Sequence, residues 1–149
     1  MTDQEKPTIL IVDDEPEILT LLRVFLERAG YRVLDASNGE IALKFFGIAP
    51  AAPVSVLPDL VILDIMMPVM DGYALNARLQ SDQRTAKIPV LILTAKGQKM
   101  RELFEMAPNV AAYVQKPFDP KSLRELITSL IGGKDIPESN RNRFPGRNP

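Results

Sequence analysis

The chain contains no cysteine and no histidine. Without cysteine it has no disulfides, no thiolate nucleophile and no thiolate metal site. Without histidine it has no Ser-His-Asp chemistry, no zinc site of the usual kind, and no imidazole of its own to carry a phosphoryl group. Long apolar runs are also missing, since none approaches the roughly 18 residues of a membrane span. The N-terminal MTDQEKP lacks the marks of a signal peptide, so a cytoplasmic location is the default expectation. An excess of one charge is absent too: the net charge of -1 gives no global attraction to nucleic acid or to anionic membrane, and neither is expected as a direct partner. Chemistry is left to carboxylates, lysines, hydroxyls and a hard metal ion.

With 149 residues, 46% of them hydrophobic and 25% charged, the chain is sized for one domain with a real core. Strands and helices alternate along it. TILIVD (8–13), RVLDA (32–36), DLVIL (59–63), IPVLILT (88–94) and AAYVQ (111–115) have the length and composition of strands. Between and after them run helical patterns at 15–30, 38–47, 72–82, 98–107 (the weakest) and 120–133. Pro16 suits a first helical position and Gly30 a stop, while Asn38 is placed to cap the second helix. Ile18, Leu22 and Phe25 repeat at helical spacing, as do Leu123, Leu126, Ile127 and Leu130 in the closing helix. Strands that are apolar on both faces and alternate with amphipathic helices predict an α/β doubly wound parallel sheet of five strands.

Two segments fall outside this rhythm. GIAPAAPVSVLP (47–58) reads as a long surface connection. The tail KDIPESNRNRFPGRNP (134–149) has a local charge of +2 and almost no apolar residues, and is expected to be disordered. The domain is therefore drawn over 8–133, preceded by a short extension over 1–7.

In such sheets ligands bind beyond the carboxyl ends of the strands, where the strand order reverses. Asp13 and Asp14 close the first strand and Asp64 closes the third. With strand order 2-1-3-4-5 the three acids share a crevice. Gathered carboxylates repel one another unless a cation intervenes. Oxygen ligands without histidine or cysteine suit Mg²⁺, which keeps several waters and so leaves room for a phosphate oxygen. The competing reading makes Asp13 and Asp14 caps of the helix that begins near Pro16. Thr94 closes the fourth strand and Lys116 follows the fifth. Each alone is an ordinary strand-end or surface residue, but together at this edge they make a cradle for a phosphoryl group.

VDDE (12–15), LDIMMPVMDG (63–72), LTA (93–95) and YVQKPF (113–118) resemble, in order and spacing, the receiver domain of two-component response regulators, the chemotaxis-regulator type included. The resemblance covers about residues 8 to 131 and implies the flavodoxin-like receiver fold. It implies Asp64 as phosphoacceptor, with Asp14, Asp64 and the backbone carbonyl of Met66 as Mg²⁺ ligands and Asp13 acting mainly through water. It further implies Thr94 and Tyr113 as switch residues, Lys116 as partner of the acceptor and then of the phosphoryl group, and a cis peptide at Pro117. Tyr113 also has a plain reading as a core aromatic. Pro68 and Gly72 match the loop that re-enters the third helix.

The implied activity is self-modification, the chain acting as a phosphoacceptor more than as a turnover enzyme: a phosphoryl group arrives from a sensor histidine kinase or histidine phosphotransfer protein. An output protein is then expected to dock on the face of the fourth helix, fifth strand and fifth helix, and a phosphorylation-dependent homodimer is a second candidate partnership. The sequence departs from the pattern at Met66 and Lys96, two after the acceptor and two after the switch hydroxyl, and at MAPNVAAY (106–113). Met66 is expected to slow self-dephosphorylation. The leading expectation is a stand-alone receiver that acts by docking. The alternatives are the detached input half of a DNA-binding regulator and, more remotely, a phosphatase of the haloacid dehalogenase type.

Overall fold

The computed structural model describes residues 6–48, 57–95, 102 and 107–132. Its elements are β1 (Thr8–Val12), α1 (Pro16–Arg28), β2 (Arg32–Ala36), α2 (Gly39–Phe45), β3 (Leu60–Leu63), α3 (Gly72–Ser81), β4 (Val90–Thr94), β5 (Val110–Gln115) and α4 (Pro120–Gly132). The N-terminal residues 1–5, most of the 47–58 connection, Lys96 and the 134–149 tail lie outside the described residues. So does the helix expected over 98–107, apart from Glu102, which is helical, and Ala107.

The strands form one parallel sheet in the order β2-β1-β3-β4-β5, as the alternation predicts. Burial follows position in the sheet. Every residue of the inner strands β1, β3 and β4 is buried, whereas the edge strands β2 and β5 are only partly so. That explains why the inner three read as unbroken apolar runs.

Successive side chains of β1 point to opposite faces, and each face has its own core. Ile9 and Ile11 pack with Leu22 and Leu26 of α1 and with Leu123, Ile127 and Leu130 of α4. Leu10 and Val12 pack with Ala42 and Leu43 of α2 and with Leu75 and Leu79 of α3. The sheet is thus covered on both faces, and its strand ends are anchored by two layers of packed side chains. The inward stripe of α1 is rotated slightly from the expected one: Leu26 is fully buried, while Ile18 and Phe25 are partly so. Gly30, at φ 99, ends this helix in a conformation that costs a side chain energy but glycine nothing.

Candidate functional site

Three residues sit one position past the end of a strand, and each has its amide held by the last carbonyl of a neighbouring strand. Asp13 donates to Ala36 O at 3.1 Å, Asp64 to Val12 O at 2.9 Å and Lys116 to Thr94 O at 2.8 Å. The sheet ladder therefore runs one rung beyond its strands and fixes the backbone from which each functional side chain departs. The apolar core beneath makes that backbone rigid. This is how a core strand comes to end on a lone acid: Asp64 is only 4% exposed and Asp13 2%.

Carboxylate oxygens of Asp13, Asp14 and Asp64 all lie within 4.8 Å of one another. Asp14 is the most open to solvent of the three. Neither Asp13 nor Asp14 caps α1. Its cap position is Glu15, which makes no side-chain cap hydrogen bond. Instead Asp13 Oδ1 accepts from the Glu15 amide at 2.9 Å, while its Oδ2 accepts from Lys116 Nζ at 2.8 Å. Lys116 Nζ also donates to Glu15 Oε1 at 3.1 Å and to Asp64 Oδ2 at 3.3 Å. One ammonium therefore serves three carboxylates, with Asp14 a fourth acid in the same cluster.

The electrostatics reflect this imbalance. Burial pushes the Asp13 carboxyl above its ordinary value, and the hydrogen bonds from Lys116 and the Glu15 amide do not fully offset it. Burial also pulls on the Lys116 ammonium, but the hydrogen bond and charge of Asp13, with help from Glu15 and Asp64, carry it well above the ordinary lysine value. The lysine is a fixed positive charge, and it is not enough. A divalent cation with oxygen preference fits what remains: clustered acids, two of them buried, one still raised by burial.

The loop after Asp64 is shaped by contact with the chain that leaves β3. Gly72 donates its amide to Ile65 O at 2.8 Å. A Cβ on Gly72 would lie 2.3 Å from Asp64 O and 2.7 Å from Ile65 Cα, so only glycine allows this approach. Asp71 is the cap of α3, its Oδ1 accepting from the Ala74 amide at 2.8 Å. Asp-Gly here starts a helix rather than forming a free-standing turn. Met66 has its amide 3.3 Å from Asp64 Oδ1 and a side chain that is mostly open to solvent, and Val69 is exposed with φ 72.

Thr94 is wholly buried at the end of β4. Tyr113 lies beside Ile92 in the β4–β5 register and is buried in the core on the α2–α3 side of the sheet. The Lys116–Pro117 peptide is cis.

Two features were not anticipated from the sequence. Glu15 joins the lysine, although as a third consecutive acid it could have been suspected. Asn76 of α3 and Asn109, just before β5, form a buried reciprocal amide pair: Asn109 Nδ2 donates to Asn76 Oδ1 at 2.7 Å and Asn76 Nδ2 returns to Asn109 Oδ1 at 3.3 Å. No local pattern in the chain signals a pairing of residues so far apart.

Residues 9–128 match the model of the response regulator receiver domain. The DNA-binding dual master transcriptional regulator RpaA of Synechocystis sp. is 40% identical over 134 residues, which is 89% of this chain and 53% of that protein. The chain spans about half the length of the curated relatives it matches. Among solved structures, response regulator TrrA of Thermotoga maritima, in complex with Mg(2+)-BeF, is 35% identical with a TM-score of 0.69, covering 83% of this chain and 98% of that one. The receiver domain of a sensor histidine kinase from Pseudomonas aeruginosa, with a magnesium ion coordinated in its active site cleft, is 27% identical with a TM-score of 0.73, covering 85% and 98%. With its sheet order, its acid cluster and the family model in agreement, the chain belongs to the response regulator receiver domain family.

Proposed function

We propose that this receiver accepts a phosphoryl group on Asp64 and converts it into a change of docking surface. The observation that carries the reading is the convergence of Asp13, Asp14, Asp64 and Lys116 from three different strand ends onto one crevice. An Asp64 carboxylate oxygen attacks the phosphorus of a phosphohistidine on a histidine kinase or histidine phosphotransfer protein. The P–N bond breaks, the imidazole leaves with the electron pair, and an acyl phosphate remains on Asp64. Lys116, already 3.3 Å from Asp64 Oδ2, is placed to pass its hydrogen bond to a phosphoryl oxygen.

Asp14, Asp64 and the Met66 carbonyl would hold Mg²⁺. Both Asp13 oxygens are already engaged by protein donors, which supports a part for it through water. When bound, the ion supplies positive charge against the oxygens of the transferred group.

Thr94 is the switch hydroxyl in this reading, and Tyr113 the aromatic that responds. One charge-assisted hydrogen bond of about 2 kcal/mol shifts a two-state ratio roughly thirtyfold, enough for a switch. The receiver unit is taken as 8–133. Two outputs follow: a receiver acting alone by docking, or the input half of a DNA-binding regulator. The names and lengths of the relatives favour the second. Reading the gene downstream of residue 149 for a continuous basic domain separates them.

The test of the chemistry is incubation with a small acyl phosphate, with and without Mg²⁺, followed by intact mass. The expected result is one phosphate adduct that requires Mg²⁺ and is lost in Asp64→Asn. An adduct that survives Asp64→Asn would refute the assignment.

A further inference from the structure

Glu15 has no part in the scheme above, yet its carboxylate reaches the lysine. The Lys116 ammonium is 2.8 Å from Asp13, 3.1 Å from Glu15 and 3.3 Å from Asp64, so its contact with the acceptor is the longest of the three. Glu15 occupies the cap position of α1 but forgoes a side-chain cap, leaving its carboxylate free to take the lysine. Its backbone amide donates a hydrogen bond to Asp13 Oδ1, the same acid that makes the lysine's shortest contact. The Glu15 side chain is 54% exposed, against 3% for Asp13 and 4% for Asp64. An exposed carboxylate binds an ammonium weakly and can release it into water, whereas a buried one left unpaired is penalised. Among the three acids, Glu15 is the contact that can yield.

Resting on the reading of Asp64 as acceptor, we propose that Glu15 is a positioning residue that holds the Lys116 ammonium toward the mouth of the site and so restrains phosphoryl transfer. When its Asp64 hydrogen bond passes to a phosphoryl oxygen, the ammonium must shift off the carboxylate to follow it, and the Glu15 bond is the one it gives up in moving. Removing the Glu15 charge removes that competitor. A general effect of negative charge on an anionic donor would be shared by Glu17, which lies in the first turn of the same helix. An effect exerted through Lys116 would not.

The test uses the full chain as wild type, Glu15→Gln and Glu17→Gln, each with and without Lys116→Gln. Phosphate uptake from acetyl phosphate with Mg²⁺ is followed by intact mass. In parallel, the nitrogen NMR signal of the Lys116 ammonium is recorded in metal-free protein. Glu15→Gln is expected to speed uptake about two- to fivefold, the span of one exposed ion pair, and Glu17→Gln by less than about 1.5-fold. The acceleration should vanish in the Lys116→Gln background, and the ammonium signal should move in Glu15→Gln alone. Unchanged or slower uptake in Glu15→Gln, equal acceleration in Glu17→Gln, or acceleration that persists without the lysine would overturn the proposal. An ammonium signal indifferent to Glu15→Gln would overturn the pairing by itself. No adduct in the wild type would instead overturn the acceptor reading on which the restraint rests.

Discussion

Gly72 and Asp64 are eight residues apart in sequence and touch backbone to backbone: a Cβ on the glycine would stand 2.3 Å from the aspartate's carbonyl oxygen. The atoms in the way belong to main chain held by the sheet, so no side chain can swing aside. Gly72→Ala should therefore lower stability by about 2–3 kcal/mol, at the upper end of overpacking. It should also slow phosphate uptake by displacing Asp64. Gly39→Ala meets only the flexible side chain of Met70, at 3.0 Å, and should cost less than about 1 kcal/mol. Urea midpoints of the two variants decide the ranking.

The Asn76–Asn109 pair ties α3 to the entry of β5, and Asn109 further holds the Val90 amide through its carbonyl at 2.8 Å. Truncating either side chain leaves the other amide buried and unpaired. Asn76→Ala or Asn109→Ala should each cost about 1–3 kcal/mol, with the double variant costing clearly less than their sum. Additive losses in a denaturant double-mutant cycle would show that the amides are not coupled.

Asp119 precedes α4 and accepts from the Ser122 amide at 3.0 Å and the Ser122 hydroxyl at 2.6 Å. These bonds hold its carboxyl below the ordinary value of 3.8. A depressed carboxyl stabilises the fold above its unfolded value, and that contribution fades as pH falls through the lower folded value. Asp119→Ala should thus lower the melting temperature at neutral pH. The gap to wild type should close as pH drops below the ordinary aspartate range. A gap that is constant with pH would mean that the cap is not acting through its charge.

Met66 presents an exposed thioether two residues past Asp64, the proposed acceptor, where it would offer no hydrogen bond to water attacking an acyl phosphate. Met66→Asn should shorten the phosphorylated lifetime about five- to tenfold, the worth of roughly one hydrogen bond. A phosphate-release time course after removal of the donor measures it, and equal lifetimes would contradict the expectation.

Much of the fold can be read along the chain because the inner strands are buried on both sides. Leu60–Leu63 and residues 90–93 of β4 must be apolar throughout, and such runs are visible without a structure. Asn38 likewise stands where a cap is needed and does cap α2, accepting from the Ile41 amide at 2.9 Å. Strand ends moved by a residue or two, as at Ile88 and Pro89 before β4, since a ladder's end depends on the neighbouring strand's length. The role of Gly72 could not be told from that of any helix-starting glycine, because the obstacle is a carbonyl eight residues back.

By itself the sequence determined the five-strand alternation, the pairing of apolar runs with terminal acids, and the kinds of chemistry open to a chain without cysteine or histidine. These are local properties: burial, period and side-chain type. Only the tertiary structure decided that Asp13 spends both its oxygens on protein donors, that Glu15 shares the lysine, and that Asn76 finds Asn109. Each depends on distances of about 3 Å between segments brought together by sheet order and core packing, and a hydrogen bond loses most of its strength within an ångström of that range.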